Sequence, residues 1–179
     1  MLLHENRFAK AVRKLLDLIA STPAHPQWFI KRSDHLRFVE TANACRGSVL
    51  DIGFSDQQLS QLLPQNTEYI GLDYWDTAAN RYQTCPSVLG DARHLPFKAQ
   101  SIDTVVLQEV VEHIPDPESV IKEINRVLKP NGRLVMSMPF MYPLHDSPFD
   151  FQRFTHHGLE NIAKKNNFKL SSDLQPALR

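Results

Sequence analysis

From Ser48 onward the chain alternates short runs of β-forming residues with stretches of helical apolar period, and few folds accommodate that alternation. Val49 to Ile52 is followed by Leu59, Leu62 and Leu63, and Tyr69 to Leu72 by a polar stretch from Asp76. Ser87 to Leu89 makes a weak third strand and Ile102 to Leu107 a strong fourth. Val120, Ile121, Ile124, Val127 and Leu128 form a helix stripe, which Lys129, Pro130, Asn131 and Gly132 stop before a strand over Arg133 to Met138. Alternating units of this kind build a doubly wound α/β fold: a mainly parallel sheet, right-handed crossovers and helices on both faces. Ligands on such sheets bind beyond the carboxyl ends of the strands.

Two helices are expected ahead of the sheet, making residues 1–46 a helical cap. Phe8, Val12, Leu15, Leu16 and Ile19 recur at helical spacing, with Lys10, Arg13, Lys14 and Asp17 opposite. The basic face would suit a membrane surface, but Glu5 and Asp17 dilute its charge, and packing on the parent domain is the commoner use. Two prolines between Ser21 and Pro26 break that period, and Ser33 can cap a second helix carrying Leu36, Phe38, Val39 and Ala42. A further strand is expected over Phe168 to Ser171. The longest irregular stretch, Pro139 to Phe154, holds three prolines, five aromatics, His145, Asp146 and Asp150. Loops of that length inside a domain are usually functional.

Composition narrows the function. A length of 179 residues fits a single domain over 1–179, and 42% apolar with 22% charged residues is an ordinary globular balance. Lys plus Arg equal Asp plus Glu at 20 each, so the positive excess that grips a phosphate backbone is lacking and no nucleic-acid partner is expected. The two cysteines, Cys45 and Cys85, have no zinc-ligand or disulfide spacing. No apolar run approaches the roughly 20 residues that span a bilayer, and the start carries no uninterrupted signal-peptide core. The chain is expected in the cytoplasm.

Three acids stand at or just past successive strand ends: Asp51, Asp73 and Asp91. A carboxylate at the tip of the second strand can accept hydrogen bonds from both ribose hydroxyls of an adenosine ligand; a turn-capping aspartate is the plain alternative. The turn after the first strand separates the candidate ligands. A pyrophosphate favours G-x-G-x-x-G spacing at a helix N-terminus, and here those positions read Gly53, Ser55 and Gln58. A dinucleotide, and with it a nicotinamide oxidoreductase, fits poorly. An adenosine ligand without phosphates needs only close backbone approach at Gly53.

The ordered series Val49-Leu50-Asp51-Ile52-Gly53, Tyr69-Ile70-Gly71-Leu72-Asp73, Gly90-Asp91-Ala92, Leu95-Pro96-Phe97, Ser101-Ile102-Asp103, Glu109 to Pro117, and Leu128 to Leu134 resembles the class I methyltransferases, within them the small-molecule group called methyltransferase type 11. Pro139-Phe140, Tyr142 to His145, Pro148 to Phe151, Arg153 to Thr155 and Gly158-Leu159 resemble a bacterial subgroup often associated with cell-surface glycan synthesis. The resemblance implies a Rossmann-like sheet of order 3-2-1-4-5 and S-adenosylmethionine as cofactor, with S-adenosylhomocysteine as product. It further implies that Gly53 lies against the methionine part, Asp51 helps hold the amino group, Asp73 takes the ribose, Asp91 faces the adenine amino group, Ala92 meets the ring edge, and Gln108 lines the methionine side. Ser55 departs from the glycine common in the family. The resembling proteins also continue past Ser171 into an antiparallel partner, so an exposed sheet edge and a homodimer across it are expected.

Because the sulfonium methyl is already reactive, alignment of the acceptor supplies most of the catalysis, an effect worth roughly 7–11 kcal/mol at best. A hydroxyl acceptor needs a base, and a histidine titrating near neutrality suits; His113 and His145 are the candidates, against cap, packing or loop roles. Tyr142, Asp150 and Arg153 are the expected acceptor-pocket residues within the acceptor-side loop 139–154, Arg153 either gripping an anionic group or pairing with Asp150. Phe140, Phe149, Phe151 and Phe154 wall that pocket or simply cover the core. His145, Asp146, Asp150, His156 and His157 carry ligand chemistry, but His156 and His157 follow the N-cap candidate Thr155, and no metal is expected. The acceptor expected is a small molecule or glycan methylated at oxygen; the rival reading is an inert binding or regulatory module that keeps the fold without turnover.

Overall fold

The computed structural model describes residues 28–54, 58–140 and 142–171, with the side chains of 28–34, 81 and 82 outside that description. The expected helix over Phe8 to Ile19 and the Ser55 position fall outside it. The first described helix, α1, runs Trp28–Ala44. It passes through Ser33, which is therefore an internal residue and not the expected cap; serine in a helix interior costs only part of a kcal/mol, about 0.5.

Five strands form one sheet in the order β3-β2-β1-β4-β5, as the resemblance implies. They are β1 Val49–Ile52, β2 Tyr69–Asp73, β3 Val88–Leu89, β4 Ile102–Gln108 and β5 Leu128–Ser137, and every pairing is parallel. β1 is buried along its whole length, as a central parallel strand covered on both faces must be. Side-chain alternation divides the core. Val49, Val106 and Val135 pack with Ala44 of α1 and Leu59 of the short helix α2, Gln58–Leu62. Leu50, Ile52, Val105 and Leu107 face the other way, onto α3, Pro117–Val127, and α4, His156–Lys165.

Helix α3 follows its sequence cues. Asp116 caps it by accepting from the Ser119 N–H, Pro117 opens the first turn, and Val120, Ile121, Ile124 and Val127 are fully buried. The expected break at Lys129 to Gly132 takes another form. β5 begins at Leu128, opposite Ile102, and resumes at Arg133, opposite Thr104, so residues 129–132 bulge out of the ladder with Asn131 at φ 65°. Burial of Leu128 and the Lys129 Nζ–Asp103 Oδ2 ion pair at 2.7 Å hold the bulge.

The strand expected over Phe168 to Ser171 does not form. Thr155 caps α4 by accepting from the Gly158 N–H. At its other end Asn167 adopts φ 64°, while the Phe168 N–H reaches back to the Ala163 carbonyl and the Asn167 N–H to Lys164. This double-bonded terminus satisfies the last carbonyls and folds Phe168 onto the core. Among the described residues no helix is long and apolar enough to cross a membrane.

Candidate active site

The order of the strands reverses between β1 and β4, and there the sheet opens a crevice at its carboxyl edge. Ile52 is level with Leu72 on one side and Leu107 on the other. One step further, Gly53, Asp73 and Gln108 therefore stand side by side. Gly53 takes φ +86° and donates its N–H to the Leu72 carbonyl at 2.9 Å. A Cβ there would lie 2.2 Å from Val110 Cγ2, so position 53 excludes any side chain.

Asp73 is 4% exposed and accepts the Tyr74 N–H through Oδ1 at 2.7 Å. Asp51 sits one pleat deeper, level with Gly71 and Val106, 8% exposed, and accepts from the Tyr69 hydroxyl at 2.5 Å. Asp91 lies two residues past Leu89, the register partner of Asp73. Its carboxylate is held by the Arg93 guanidinium, with Nη2 at 2.6 Å and Nε at 3.0 and 3.1 Å, and by the Arg93 N–H at 2.8 Å. The same hydrogen bonds keep its carboxyl below the ordinary range. Ala92 is half-buried against the core.

Gln108 supplies the test of fit. Its amide donates to Thr41 Oγ1 of α1 at 2.7 Å, and Oε1 is left buried without a partner among the described residues. An orphaned acceptor of this kind calls for an N–H donor. The ammonium of an amino-acid moiety would supply it. A buried orphaned acceptor at this edge is compatible with S-adenosylmethionine, whose amino-acid end carries such a donor.

The acceptor-side candidates converge on the turn after β4. Residues Val111–His113 form one 3-10 turn, and loop 139–154 is fastened across it: the Phe151 N–H donates to the Glu112 carbonyl at 2.9 Å, and Gln152 Nε2 to the Val111 and Ile114 carbonyls at 3.2 and 2.7 Å. The imidazoles of His113 and His145 meet edge to face with centroids 4.9 Å apart, and Tyr142 stacks on His145 at 5.1 Å. Arg153 embraces Asp150, both nitrogens on both oxygens, and holds its carboxyl far below the ordinary range. Asp150 in turn accepts the His145 N–H at 3.0 Å. Arg153 thus takes the pairing role of its two expected ones. Of the aromatics, Phe154 packs on the core while Phe140, Tyr142, Phe149 and Phe151 are about half exposed. His156 and His157 lie apart, facing Glu160 on the first turn of α4.

A family model described as a methyltransferase domain, type 11, matches residues 50–136, from β1 to the end of β5. Residues 50–136 thus carry a methyltransferase domain of type 11. A demethylmenaquinone methyltransferase of Streptomyces griseus is 28% identical over 72% of this chain and 43% of the relative. A ubiquinone biosynthesis O-methyltransferase of Pseudomonas paraeruginosa is 30% identical over 55% of it and 47% of the relative. The chain spans under half the length of both. Its fold matches the structure of an S-adenosylmethionine-dependent methyltransferase from Archaeoglobus fulgidus with a TM-score of 0.61, at 21% identity, over 85% of this chain and 73% of that one.

Several residues that shape the methyltransferase site escaped sequence reasoning. Arg37 of α1 bridges Glu109 at 2.9 Å and Ser137 Oγ at 3.0 Å, joining the tips of β4 and β5. Nothing in the helical pattern marks Arg37 or Thr41, since both depend on which face of α1 meets the sheet. Glu112 carried a signal: an acid inside the apolar run from Val110 to Ile114. It is wholly buried, neither carboxylate oxygen has a hydrogen-bond partner among the described residues, and burial, with help from Glu109, pushes its pKa up to about 7. A cavity of about 640 Å³ opens at the opposite, amino edge beside Cys45, Gly47 and Thr67 and contains none of these groups. Burial and the Asp51 charge push the Cys45 thiol there up to about 12, which makes it a poor nucleophile.

Proposed function

We propose that this chain carries out S-adenosylmethionine-dependent methyl transfer to the oxygen of a small-molecule or glycan-type acceptor. The observation that carries the reading is the row Gly53, Asp73 and Gln108 at the switch point, with the His113–His145 pair on the adjoining turn. When bound, the cofactor supplies an electrophilic methyl group on a sulfonium. Asp73 would bind its ribose and Gln108 would hold its methionine end.

The loop side receives the acceptor. Phe149's carbonyl can only accept, so the 2.8 Å contact puts the proton of His113 on Nδ1 and leaves the Nε2 lone pair to take a proton from the acceptor hydroxyl. The Glu112 and Asp146 carboxylates, 3.9 and 3.8 Å from Nε2, stabilise the imidazolium that results. Tyr142, Phe149 and Phe151 offer aromatic faces on which a ring-shaped acceptor stacks. Methylation of an acceptor in quinone biosynthesis, named for the Streptomyces and Pseudomonas relatives, is compatible with that surface.

Calorimetry with S-adenosylhomocysteine tests the cofactor half: Asp73→Ala should weaken binding more than about tenfold, the loss of at least one charge-assisted hydrogen bond. Unchanged affinity removes Asp73 from the site. The rival reading, an inert binding module, draws on Asp91, whose acceptor oxygens Arg93 already occupies. Tight cofactor binding without turnover on any quinol, phenol or sugar acceptor would favour that module.

A further inference from the structure

Glu112, His113 and His145 each offer one ligand atom, and these atoms all lie within 4.8 Å of one another. Three independent features prepare them for a cation. The Glu112 carboxyl is wholly buried and its oxygens lack hydrogen-bond partners among the described residues, a costly arrangement unless something else satisfies them. His113 is held by the Phe149 carbonyl at Nδ1, which turns the Nε2 lone pair toward Glu112 Oε1 at 3.9 Å and Asp146 Oδ2 at 3.8 Å. His145 Nδ1 faces the Asp150 carboxylate at 3.2 Å and the Pro143 carbonyl at 3.3 Å. Arg153 Nη2, which donates to Asp150 at 2.8 Å, also lies 3.3 Å from that nitrogen, so polar neighbours on three sides hold the His145 ring in place. Imidazoles whose other nitrogen donates to a carbonyl or carboxylate are oriented as metal ligands are.

We propose that Glu112, His113 and His145 bind a divalent transition-metal ion of the zinc class, leaving a coordination position for an oxygen of the acceptor. Two imidazole nitrogens and one carboxylate are the donor set of catalytic zinc sites with an open fourth position, whereas magnesium and calcium prefer oxygen alone. Ligand atoms about 2.1 Å from a tetrahedral zinc stand about 3.4 Å apart. The 3.9 Å between Glu112 and His113 is close to that spacing, and His145 comes from the loop, the more adjustable partner. With its Nε2 lone pair given to the ion, His113 would no longer serve as the base, and the cation would instead lower the pKa of a bound acceptor hydroxyl. This consequence rests on the transferase reading; ion binding itself does not.

The test uses tag-free, chelator-treated full chain, with Zn²⁺ followed by calorimetry and Co²⁺ by its visible absorption. One ion per chain is expected at micromolar or tighter affinity, weakened more than about tenfold in Glu112→Gln and in His145→Ala. His145 lies on the surface loop, so His145→Ala decides if the buried Glu112→Gln variant fails to fold. No saturable binding up to millimolar ion, or equal affinity in wild type and His145→Ala, overturns the site. S-adenosylhomocysteine binding is measured on the same samples. Cofactor binding without ion binding overturns this site alone, and ion binding without cofactor binding sustains the site while removing the transferase reading.

Discussion

Glu112 is the residue whose environment most changes its chemistry. Its ordinary value of 4.5 rises to about 7 in the folded chain through burial and the nearby Glu109 charge, against the lowering influence of His145 and Arg153. Between those two values the folded chain binds more protons than the unfolded one, so Glu112 costs stability progressively as pH rises from about 4.5 to about 7 and costs no more above that. The full cost is about 3 kcal/mol, taking one pKa unit as about 1.4 kcal/mol. Glu112→Gln should abolish this dependence and be the more stable protein at pH 8. Urea unfolding of both proteins at pH 5 and pH 8 in chelator measures it, and parallel curves would refute it. The places of Gly53 and Asp73 at strand ends are readable from the alternating pattern, whereas Gln108 is named only by the family resemblance. Glu112 stands out in the sequence only as an acid inside an apolar run; that a loop nearly 30 residues later folds back across its turn is not written there.

Elements were legible where apolar period and capping agreed, as in α3, whose cap, opening proline and buried stripe are all present in the sequence. They were misread where a local hydrogen-bond solution outranked propensity. Residues 168–171 look like a strand, yet the left-handed Asn167 and the return bond from Phe168 to Ala163 close α4 instead. The segment 129–132 looks like a helix stop and is a bulge within a strand. The loop over the 3-10 turn rests chiefly on Gln152, whose one amide serves two carbonyls. Gln152→Ala should cost about 1–2 kcal/mol of local stability and lower kcat while leaving S-adenosylhomocysteine affinity unchanged. Single-turnover assays beside calorimetry separate the two effects, and a matching loss of cofactor affinity would show that the loop is not an independent acceptor-side element.

At the scale of the molecule, β5 ends the sheet, and no described strand lies beyond its ten residues. An exposed edge is a template for pairing with a second copy, and we propose that the expected homodimer forms across it. Sedimentation at micromolar concentration should give twice the chain mass; a monomer would refute it. The two halves of the site are also unequally anchored. The proposed cofactor row stands on strand tips of the sheet, with β1 buried throughout, whereas the proposed catalytic histidines are brought together by a surface loop tied down by four hydrogen bonds to one turn. Local opening of weakly held segments precedes global unfolding. On warming, methyl transfer should therefore fade while the protein still takes up its cofactor, a window in which the molecule is a receptor without being a catalyst. Turnover and ligand uptake followed along one temperature ramp would reveal that gap, and simultaneous loss would mean that loop and sheet melt as a unit.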